Sequence, residues 1–312
     1  MLDQIIKPME PVKHDQPFDD PRYAFQVKWD GVRMLAFVSG SGVRLQNRRL
    51  REKTATYPEL QLLSKHLVGR DAILDGEVVV LQDGKPSFPR VIERDFATSS
   101  RTISGMQKTH PIAYVVFDIL WLDGRDLTPL PWQERDQHLH AAVREEDGIA
   151  VIDSFLARGT DLFGAVETKG LEGIVAKEIS SRYLIGQKSD AWRKIKTKQR
   201  IRAVVGGMTI KGSHFSALLL GVYREGQLVY IGRVGTGISM QEAGLLVQHL
   251  GQQRQPTSPF TNTPRITSAE VIWTYPALTV DVEFMEWTED LQLRAPVIKG
   301  FGIGDPKECV FC

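Results

Sequence analysis

The sequence predicts an α+β fold in two domains, residues 1–198 and 199–312. At 312 residues the chain exceeds what a single hydrophobic core usually fills, so two cores are expected. The N-terminal part mixes strand-like runs with helical periodicity, whereas the C-terminal part is dominated by short strands rich in β-branched and aromatic residues. Charged residues make up 25% and hydrophobic residues 42% of the chain, which is typical of a globular protein.

Composition excludes several classes of protein. No stretch approaches about 18 uninterrupted apolar residues, and residues 1–7 lack the layout of a signal peptide, so we expect a cytoplasmic protein. The net charge of +1 excludes a globally basic coat for nucleic acid but leaves room for a local patch. Cys309 and Cys312 form a C-x-x-C without the further ligands of a zinc site, and we expect them to be incidental.

The predicted elements of the N-terminal domain follow from periodicity and turn residues. Residues 1–24 are rich in proline and predict an extended lead-in with at most one short turn of helix. Strands over 23–28, 32–38 and 43–46 are expected to form a meander. Further strands are expected over 71–81, 113–121, 170–177 and 189–196, and helices over 57–66, 132–145 and 161–169.

The C-terminal domain shows alternating strands with a single helix. An OB-fold fits this pattern, although any small β-barrel would fit these residues as well. Residues 232–237, Gly-Arg-Val-Gly-Thr-Gly, superficially suggest a phosphate loop but lack its lysine, and we interpret them as a turn. The strands are predicted over 204–210, 217–223, 228–234, 271–273 and 278–287, the helix over 241–251, and an exposed loop over 252–268.

The chain is organised around Lys28, Asp30, Gly31 and Arg33, a K-x-D-G-x-R pattern between two apolar runs. A strand that ends in an Asp-Gly turn with solvated neighbours is an equally good interpretation of these residues alone. A lysine is a poor nucleophile when protonated, so chemistry at Lys28 would require neighbouring groups that lower its pKa.

Later segments supply candidate partners, each with a plainer alternative. Asp75 and Glu77 point to one face of a strand, where paired carboxylates usually serve a cation or hydroxyl groups, unless they mark a second turn. Arg48 follows a strand and suits a phosphate, although a solvated arginine is favoured on its own. Phe117 lies in an apolar strand, where an aromatic is more often core than a stacking platform.

The densest basic cluster lies at residues 189–196. Lys194 and Lys196 are spaced to share one strand face, with Arg193 on the other, and two lysines on one face would bind a polyphosphate and depress the pKa of a third lysine. Glu172 lies at the beginning, and Lys177 at the end, of the predicted strand that precedes this cluster.

In this order the motifs resemble those of the covalent nucleotidyltransferases, specifically ATP-dependent DNA ligases, and most closely the ligase domains of bacterial non-homologous end-joining ligases. The resemblance implies a nucleotidyltransferase (adenylation) domain of antiparallel sheets with flanking helices, followed by an OB-fold domain. It also implies that the OB-fold domain moves between steps, with residues 197–202 as the hinge. The motifs that carry it are Lys28-x-Asp30-Gly31-x-Arg33, Arg48, Asp75-Gly76-Glu77, Phe117-Asp118, Glu172-Gly173-x-x-x-Lys177 and Trp192-x-Lys194-x-Lys196.

The resemblance implies a role for each matching residue. Lys28 would attack the α-phosphate of ATP to form lysyl-AMP, and catalysis would also involve Asp30, Lys194 and Lys196. Gln26, where relatives usually carry glutamate, would still accept a hydrogen bond from the adenine amino group. By the same resemblance, Arg33 and Glu77 would contact the ribose, Phe117 would contact adenine, and Val175 would contact the nucleotide. Lys177, Lys194 and Lys196 would lie near the α-phosphate. Arg48 and Arg193 would contact DNA, and Asp75 and Glu172 would bind the metal.

The same resemblance implies ATP with Mg²⁺ or Mn²⁺ as cofactors and nicked or broken double-stranded DNA as substrate. A monomeric, stand-alone ligase core associated with the nucleoid is expected, with a Ku-type end-binding protein as a possible partner. The alternatives are an RNA ligase, a capping-type guanylyltransferase and a binding-only homologue. Residues 300–307 lack the arginine usual there, so Lys299 or Lys307 would replace it, or self-adenylylation would be impaired.

Overall fold

The computed structural model divides the chain into two compact units, residues 1–197 and 198–312. Among the residues described, no helix is long and apolar enough to cross a membrane. The described residues are 1–146, 148–212, 214–288, 290–302 and 304–310.

The first unit contains two sheets with helices on their outer faces. Its helices are α1 (Leu63–His66), α2 (Phe88–Phe96), α3 (Ser100–Thr109), α4 (Trp132–Ala142) and α5 (Gly159–Thr168), with a 3₁₀ helix at Pro58–Leu62. Its strands are β1 (Glu10–Lys13), β2 (Tyr23–Lys28), β3 (Val32–Ser39), β4 (Gly42–Asn47), β5 (Ala72–Gln82), β6 (Lys85–Pro86), β7 (Ile112–Leu122), β8 (Arg125–Asp126), β9 (Ile149–Val151), β10 (Phe155–Leu156), β11 (Gly173–Glu178) and β12 (Lys188–Lys196).

The first sheet has the strand order β1-β12-β11-β2-β10. Strand β11 lies at its centre and pairs antiparallel with both β2 and β12, while β1 pairs parallel with β12. Because side chains alternate along a strand, Phe25, Ile174 and Ile195 share one face. That face packs against Leu162 and Val166 of α5. The opposite face is left for Gln26, Lys28 and their neighbours.

The second sheet has the order β4-β3-β5-β7-β8, with β6 beside β5 and β9 parallel to β7. Its outer face carries the largest core of this unit, in which Met34, Leu74 and Val116 pack with Leu63 of α1 and Leu139 of α4. Its inner face contributes to a cluster shared with the first sheet. The shared cluster includes Leu35, Phe37, Ile73, Leu120, Ala24, Tyr183 and Trp192.

The expectation of a continuous meander through residues 23–46 is wrong, because β2 and β3 belong to different sheets. The chain changes sheet at Asp30 and Gly31. A Cβ atom at Gly31 would collide with the carbonyl oxygen of Val78 on β5, so only glycine allows this close passage. The turn therefore delivers Lys28 to one sheet and Arg33 to the other.

The structure also adds elements that the sequence pattern did not indicate. The lead-in contains β1, which pairs with β12 and is therefore part of the first sheet. Helices α2 and α3 fill the interval between β6 and β7. Helix α2 buries Val91 and Arg94 on one side, and tertiary packing of this kind outweighs weak local signals.

The second unit is a curled sheet with one long helix. Its strand order is β15-β14-β13-β17-β20, with β16 beside β13 and a separate β18-β19 pair. Helix α6 begins with a capping box between Ser239 and Glu242. Its elements are β13 (Gln199–Lys211), β14 (His214–Arg224), β15 (Gln227–Val234), α6 (Met240–Gln252), β16 (Glu270–Trp273), β17 (Thr279–Phe284), β18 (Glu286–Trp287), β19 (Leu293–Arg294), β20 (Val297–Gly302) and a 3₁₀ helix at Pro306–Glu308.

Two segments of this unit can be compared with what the sequence predicted for them. Residues 232–237 end β15, an antiparallel strand, and lead toward α6, which agrees with a turn and not with a phosphate loop. The altered segment that begins at Gly300 is partly strand, since β20 pairs with β17. Cys309 is a buried free thiol, and Cys312 lies outside the described residues.

Candidate active site

The inner face of the first sheet carries three rows of side chains across its central strands. Lys28, Gly173 and Lys196 lie opposite one another in the first row. The second row contains Gln26, Val175 and Lys194, and the third contains Ala24, Lys177 and Trp192. Residues directly opposite on adjacent strands share a face, so most of the predicted nucleotide-binding residues converge here.

Glu172 joins the two lysines of the first row. Its Oε2 lies 2.5 Å from Lys28 Nζ and its Oε1 lies 2.7 Å from Lys196 Nζ. The Glu172 side chain is buried, so the two ion pairs are poorly screened by water. One carboxylate therefore holds two ammonium groups close together at the ends of the central strands.

Gly173 makes this bridge possible. Its φ of +150° lies in a region that favours glycine, and a Cβ atom there would collide with the carbonyl oxygen of Ile195 on β12. Without a side chain between them, Lys28 and Lys196 both reach the carboxylate of the preceding residue.

The expectation that neighbouring cations lower the pKa of Lys28 is not met in this arrangement. Burial lowers the pKa, but the carboxylates of Glu172, Glu77 and Asp30 raise it more, so that it lies above its usual value. Lys196 is directed at Glu172, where it neutralises only part of that negative charge. The site as folded therefore favours Lys28 as an ammonium ion.

Glu77 lies opposite Arg33 in the pairing of β5 with β3. Burial raises the pKa of Glu77 to about 8, against the opposing effect of Lys28 and Arg33. A carboxyl group with this pKa can donate or accept a hydrogen bond near neutral pH, which suits contact with hydroxyl groups.

Asp75 is the anchor of Arg33. The Arg33 Nε and Nη2 atoms donate to the two carboxylate oxygens at 2.9 and 2.6 Å, and the Tyr183 hydroxyl adds a hydrogen bond of 2.6 Å. Asp75 is fully buried, and both of its oxygens are occupied. This geometry does not support the prediction that Asp75 is a metal ligand; the residue instead fixes the guanidinium of Arg33.

A second buried ion pair lies beside the first, and the sequence did not indicate it. Asp118 is opposite Asp75 on β7, and it accepts two hydrogen bonds from Arg135 of α4 at 2.8 and 2.9 Å. Each carboxylate thus has its own arginine, which removes the repulsion between them. No local pattern links residues 17 positions apart on a strand and a helix, so only the tertiary fold shows this pair.

Lys177 lies in the third row of this face, two rows from Lys28. Its Nζ donates to the carbonyl oxygen of Phe117 at 2.8 Å and lies 4.2 Å from the ring centroid of Trp192 and 4.7 Å from that of Phe117. Burial lowers the pKa of Lys177 to about 8. These contacts support a role in holding Phe117, and the role at the α-phosphate stays a prediction.

The two arginines predicted to contact DNA each have another partner in the structure. Arg193 is on the opposite face of β12, where its guanidinium stacks 5.0 Å from the ring of Tyr23. Arg48 is exposed and forms a bidentate pair with Glu10 at 3.1 and 3.0 Å. An exposed pair of this kind is weak enough to open for a phosphate.

The donor set fits a divalent cation that binds together with phosphate oxygens. Mg²⁺ is commonly held by one or two carboxylates plus substrate phosphates. Glu172 is the carboxylate in the right place, with Asp30 and Glu77 close enough to influence Lys28. Over the residues that the structure describes, there is no cluster of three or more ligating His, Cys, Asp or Glu side chains.

The second unit has a polar cleft of about 400 Å³ at the end of β15. Arg233, on β15, and Arg265, in the loop before β16, both line it. Asn262 holds that loop to the strand through two hydrogen bonds with the Tyr230 backbone, at 2.6 and 3.1 Å. Two guanidinium groups around one cleft favour an anionic ligand.

A lysine paired with a buried carboxylate on one sheet, a fixed arginine on the next, and a following β-rich unit are the arrangement expected of a nucleotidyltransferase. Family comparison agrees. The model of the ATP dependent DNA ligase domain matches residues 4–196, and that of the ATP dependent DNA ligase C-terminal region matches residues 211–302. The chain therefore belongs to the ATP-dependent DNA ligase family, whose members are enzymes that use ATP and a divalent metal.

Two relatives show how far the sequence similarity extends. The chain is 32% identical over 285 residues to the multifunctional non-homologous end joining DNA repair protein LigD of Mycobacterium tuberculosis, which covers 89% of this chain and 36% of the relative. The chain thus spans about a third of that protein. It is 30% identical over 211 residues to the SPbeta prophage-derived DNA ligase-like protein LigB of Bacillus subtilis, covering 67% of this chain and 74% of the relative.

A solved structure extends the comparison to the fold. Mycobacterial DNA ligase D complexed with ATP and MES matches with a TM-score of 0.55 and 29% identity over 98% of both chains. The predicted fold class, a nucleotidyltransferase domain followed by an OB-fold domain, is confirmed by this match and by the C-terminal family model.

Proposed function

We propose that this ATP-dependent DNA ligase seals 5′-phosphate/3′-hydroxyl breaks through a lysyl-AMP formed on Lys28. The observation that carries the proposal is the bridge from Lys28 through Glu172 to Lys196, which presents two cations at 2.5 and 2.7 Å from one carboxylate. Positioning and charge stabilisation of this kind supply most of the catalysis in phosphoryl transfer.

The reaction would proceed in three transfers. The neutral amine of Lys28 attacks the α-phosphorus of ATP, so that a nitrogen–phosphorus bond forms and pyrophosphate leaves. The AMP then passes to the 5′-phosphate of DNA, and Lys28 is released. Finally the 3′-hydroxyl attacks the activated 5′-phosphate, a phosphodiester forms and AMP leaves. Lys196, and Lys194 from the same face, would stabilise the negative charge at phosphorus.

The nucleotide would lie on the inner face of the first sheet. Val175 and the ring of Phe117 offer apolar surfaces for the base, and Gln26 lies one row from Lys28 to meet the edge of the base. Arg33 and Glu77, opposite each other on the second sheet, would hold the ribose. The Arg33 guanidinium donates hydrogen bonds, and the Glu77 carboxyl, with its raised pKa, can donate or accept one, which suits a pair of hydroxyl groups.

A divalent cation would be held by Glu172 together with phosphate oxygens. When bound, it supplies positive charge that polarises the α-phosphate. The negative charge of Glu172 would then be shared between the cation and Lys28, so Glu172 would stabilise the ammonium form of Lys28 less. The pKa of Lys28 would fall, which favours the neutral amine that the reaction requires. Mg²⁺ and Mn²⁺ are the candidates.

The biological setting is also part of the proposal, and the names of the relatives support it. The M. tuberculosis relative is named for non-homologous end joining and DNA repair. We infer that this chain works on double-strand breaks, at the nucleoid and in company with a Ku-type end-binding protein. The predicted domain boundary at residue 198, the hinge at residues 197–202 and the monomeric state belong to the same proposal.

The altered C-terminal segment bears on self-adenylylation. Lys299, one of the two predicted replacements for arginine, lies 3.4 Å from Glu283, which also pairs with Lys198 at 3.3 Å. Lys307 sits in the exposed 3₁₀ helix. Sealing of nicked DNA in a single turnover by the adenylylated protein, compared with turnover from ATP, tests the consequence. Equal rates would remove the idea that self-adenylylation is impaired.

The central experiment is transfer of label from α-labelled ATP to the protein, followed by a chase with nicked DNA. We expect label that depends on Lys28 and then appears on the DNA 5′ end before sealing. The control is Lys65→Ala, which removes an exposed lysine of the same unit. Absence of label after pyrophosphate treatment to strip bound AMP would refute the lysyl-AMP route, and label transfer to RNA in preference to DNA would favour an RNA ligase.

A further inference from the structure

The altered segment that begins at Gly300 has an arginine beside it that comes from another strand. Arg202 of β13 lies opposite Asp281 of β17, and Asp281 lies opposite Gly300 of β20. Residues directly opposite on adjacent strands share a face, so these positions form one row across the three strands. The side chain of Arg202 therefore starts on the same face of the sheet as the altered segment.

Two glycines of the segment accommodate the guanidinium group of Arg202. A Cβ atom at Gly302 would lie 2.6 Å from Thr279 Oγ1 and 3.1 Å from Arg202 Nε, and one at Gly304 would lie 3.8 Å from Arg202 Nη1. A side chain at position 302 would therefore displace the arginine. The segment lacks an arginine of its own and leaves room for the one from β13.

Asp281 orients this guanidinium group. The Arg202 Nε and Nη2 atoms donate to the two carboxylate oxygens of Asp281 at 2.8 and 3.3 Å. The Arg202 and Asp281 side chains are 48% and 46% exposed, so the ion pair is weak enough to share the guanidinium with a phosphate. The planar fork of an arginine also matches the spacing of phosphate oxygens.

The two lysines that were predicted to replace the missing arginine are less well suited. Lys299 Nζ lies 3.4 Å from Glu283, which also pairs with Lys198 at 3.3 Å. Lys307 lies in the 3₁₀ helix beyond the two glycines, and its ammonium group is a point charge without the fork of arginine. Arg202 combines that fork with a position against Gly302 and Gly304.

We propose that Arg202 is a catalytic residue of self-adenylylation, which binds the pyrophosphate leaving group in place of the missing arginine. In this step the Lys28 nitrogen forms a bond to the α-phosphorus and gives a proton to water, while the bond from that phosphorus to the bridging oxygen breaks. The electron pair of the broken bond leaves with pyrophosphate, and Arg202 stabilises the added negative charge. This inference rests on the proposed function and on the movement of the second unit that belongs to it.

The rate at which α-labelled ATP labels AMP-free protein tests this role. Arg202→Ala should slow labelling by at least about tenfold, because it removes a donor from the charge that develops in the transition state. Sealing of nicked DNA that already carries AMP on its 5′ end releases no pyrophosphate, so its rate should stay within about twofold of wild type. Arg202→Lys keeps the charge without the fork and should lose less than the alanine variant. Arg224→Ala, at an exposed arginine of the same unit, is the control.

The reverse reaction gives a second readout. Release of AMP from the adenylylated protein by added pyrophosphate passes through the same transition state, so Arg202→Ala should slow it by a similar factor. Labelling of Arg202→Ala within about twofold of wild type would overturn the inference, and so would a larger loss in Lys299→Ala or Lys307→Ala. Equal losses in labelling and in sealing of adenylylated DNA would also overturn it, because they indicate a structural role.

A binding measurement separates this inference from the proposed function. If labelling depends on Lys28 but is as fast in Arg202→Ala as in wild type, the role of Arg202 fails and the chemistry at Lys28 stands. If wild-type protein takes no label, that chemistry fails, and calorimetric binding of ATP and AMP to the Lys28→Met protein then tests the contact. Arg202→Ala should weaken binding of ATP by at least about threefold and leave that of AMP unchanged, since AMP lacks the phosphates that Arg202 contacts. An unchanged affinity for ATP would overturn the contact as well.

Discussion

Replacing Lys177 by methionine tests the charge balance beneath Phe117. Burial lowers the pKa of Lys177 from 10.5 to about 8, although Asp118, Asp75 and Asp136 oppose the change. One pKa unit corresponds to about 1.36 kcal/mol, so the protonated lysine costs the fold about 3 kcal/mol below pH 8. Methionine is similar in length, carries no charge and packs well against aromatic rings, so it removes this cost without leaving a large cavity.

The effect should depend on pH in a defined direction. Below about pH 8 the lysine is protonated in both the folded and the unfolded chain, and the full cost applies. Between about pH 8 and 10.5 the folded protein releases the proton first, so the stability of the wild type rises with pH. The variant lacks this rise. It also leaves the Phe117 carbonyl oxygen without its donor, which costs about 1–3 kcal/mol at every pH.

Urea unfolding followed by tryptophan fluorescence measures this difference. Near pH 7 the two contributions oppose each other, and we expect Lys177→Met to lie between the stability of the wild type and about 2 kcal/mol above it. Between pH 7 and pH 10 the stability of the variant relative to the wild type should fall by about 2–3 kcal/mol. Lys65→Met, at an exposed lysine, is the control for general effects of alkaline pH. An identical stability difference at both pH values would refute the assigned burial of a charged Lys177.

Three further predictions follow from the site and the second unit. Gly173→Ala should destabilise the protein by more than about 2 kcal/mol in thermal unfolding and abolish lysine labelling, because its Cβ has no room; normal labelling would contradict the proposed bridge. Asp118→Asn should lower the free energy of unfolding in urea by about 3–5 kcal/mol, because it leaves the buried charge of Arg135 unmatched. A decrease of less than about 1 kcal/mol would show that this ion pair contributes little to stability. The double variant Arg233→Ala, Arg265→Ala should bind nicked DNA more weakly. In filter binding, the slope of log affinity against log salt concentration should become smaller in magnitude by about 0.9 for each DNA phosphate that is no longer neutralised. An unchanged slope would exclude the cleft from the DNA interface.

The sequence was most informative where strand periodicity sets geometry. The spacing of Lys194 and Lys196 places both on one face of β12, and Arg193 on the other, as the structure shows. Long apolar runs likewise indicated most of the central strands. Their assignment to sheets could not be predicted, because a single close passage at Gly31 separates β2 from β3.

Charge pairing was the least predictable part of the site. Asp75 and Glu77 are two positions apart, yet one is fixed by Arg33 and Tyr183 while the other has its pKa raised to about 8 by burial. Which carboxylate is ion-paired depends on the second sheet and on a tyrosine 108 positions away in the chain. The same holds for Lys177, whose aromatic neighbours come from two sheets.

The side chains of Lys28 and Lys196 differ in solvent exposure, although the two amines are chemically equivalent. Lys28 and Lys196 bind the two oxygens of one carboxylate, and either amine could in principle attack a phosphate. The Lys28 side chain is 24% exposed, whereas that of Lys196 is 8% exposed. A nucleophile must approach phosphorus closely, while a stabilising charge acts through its field at slightly greater distance. The greater access of Lys28 and the enclosure of Lys196 therefore support the proposed division of roles, with Lys28 as the nucleophile and Lys196 as a stabilising charge.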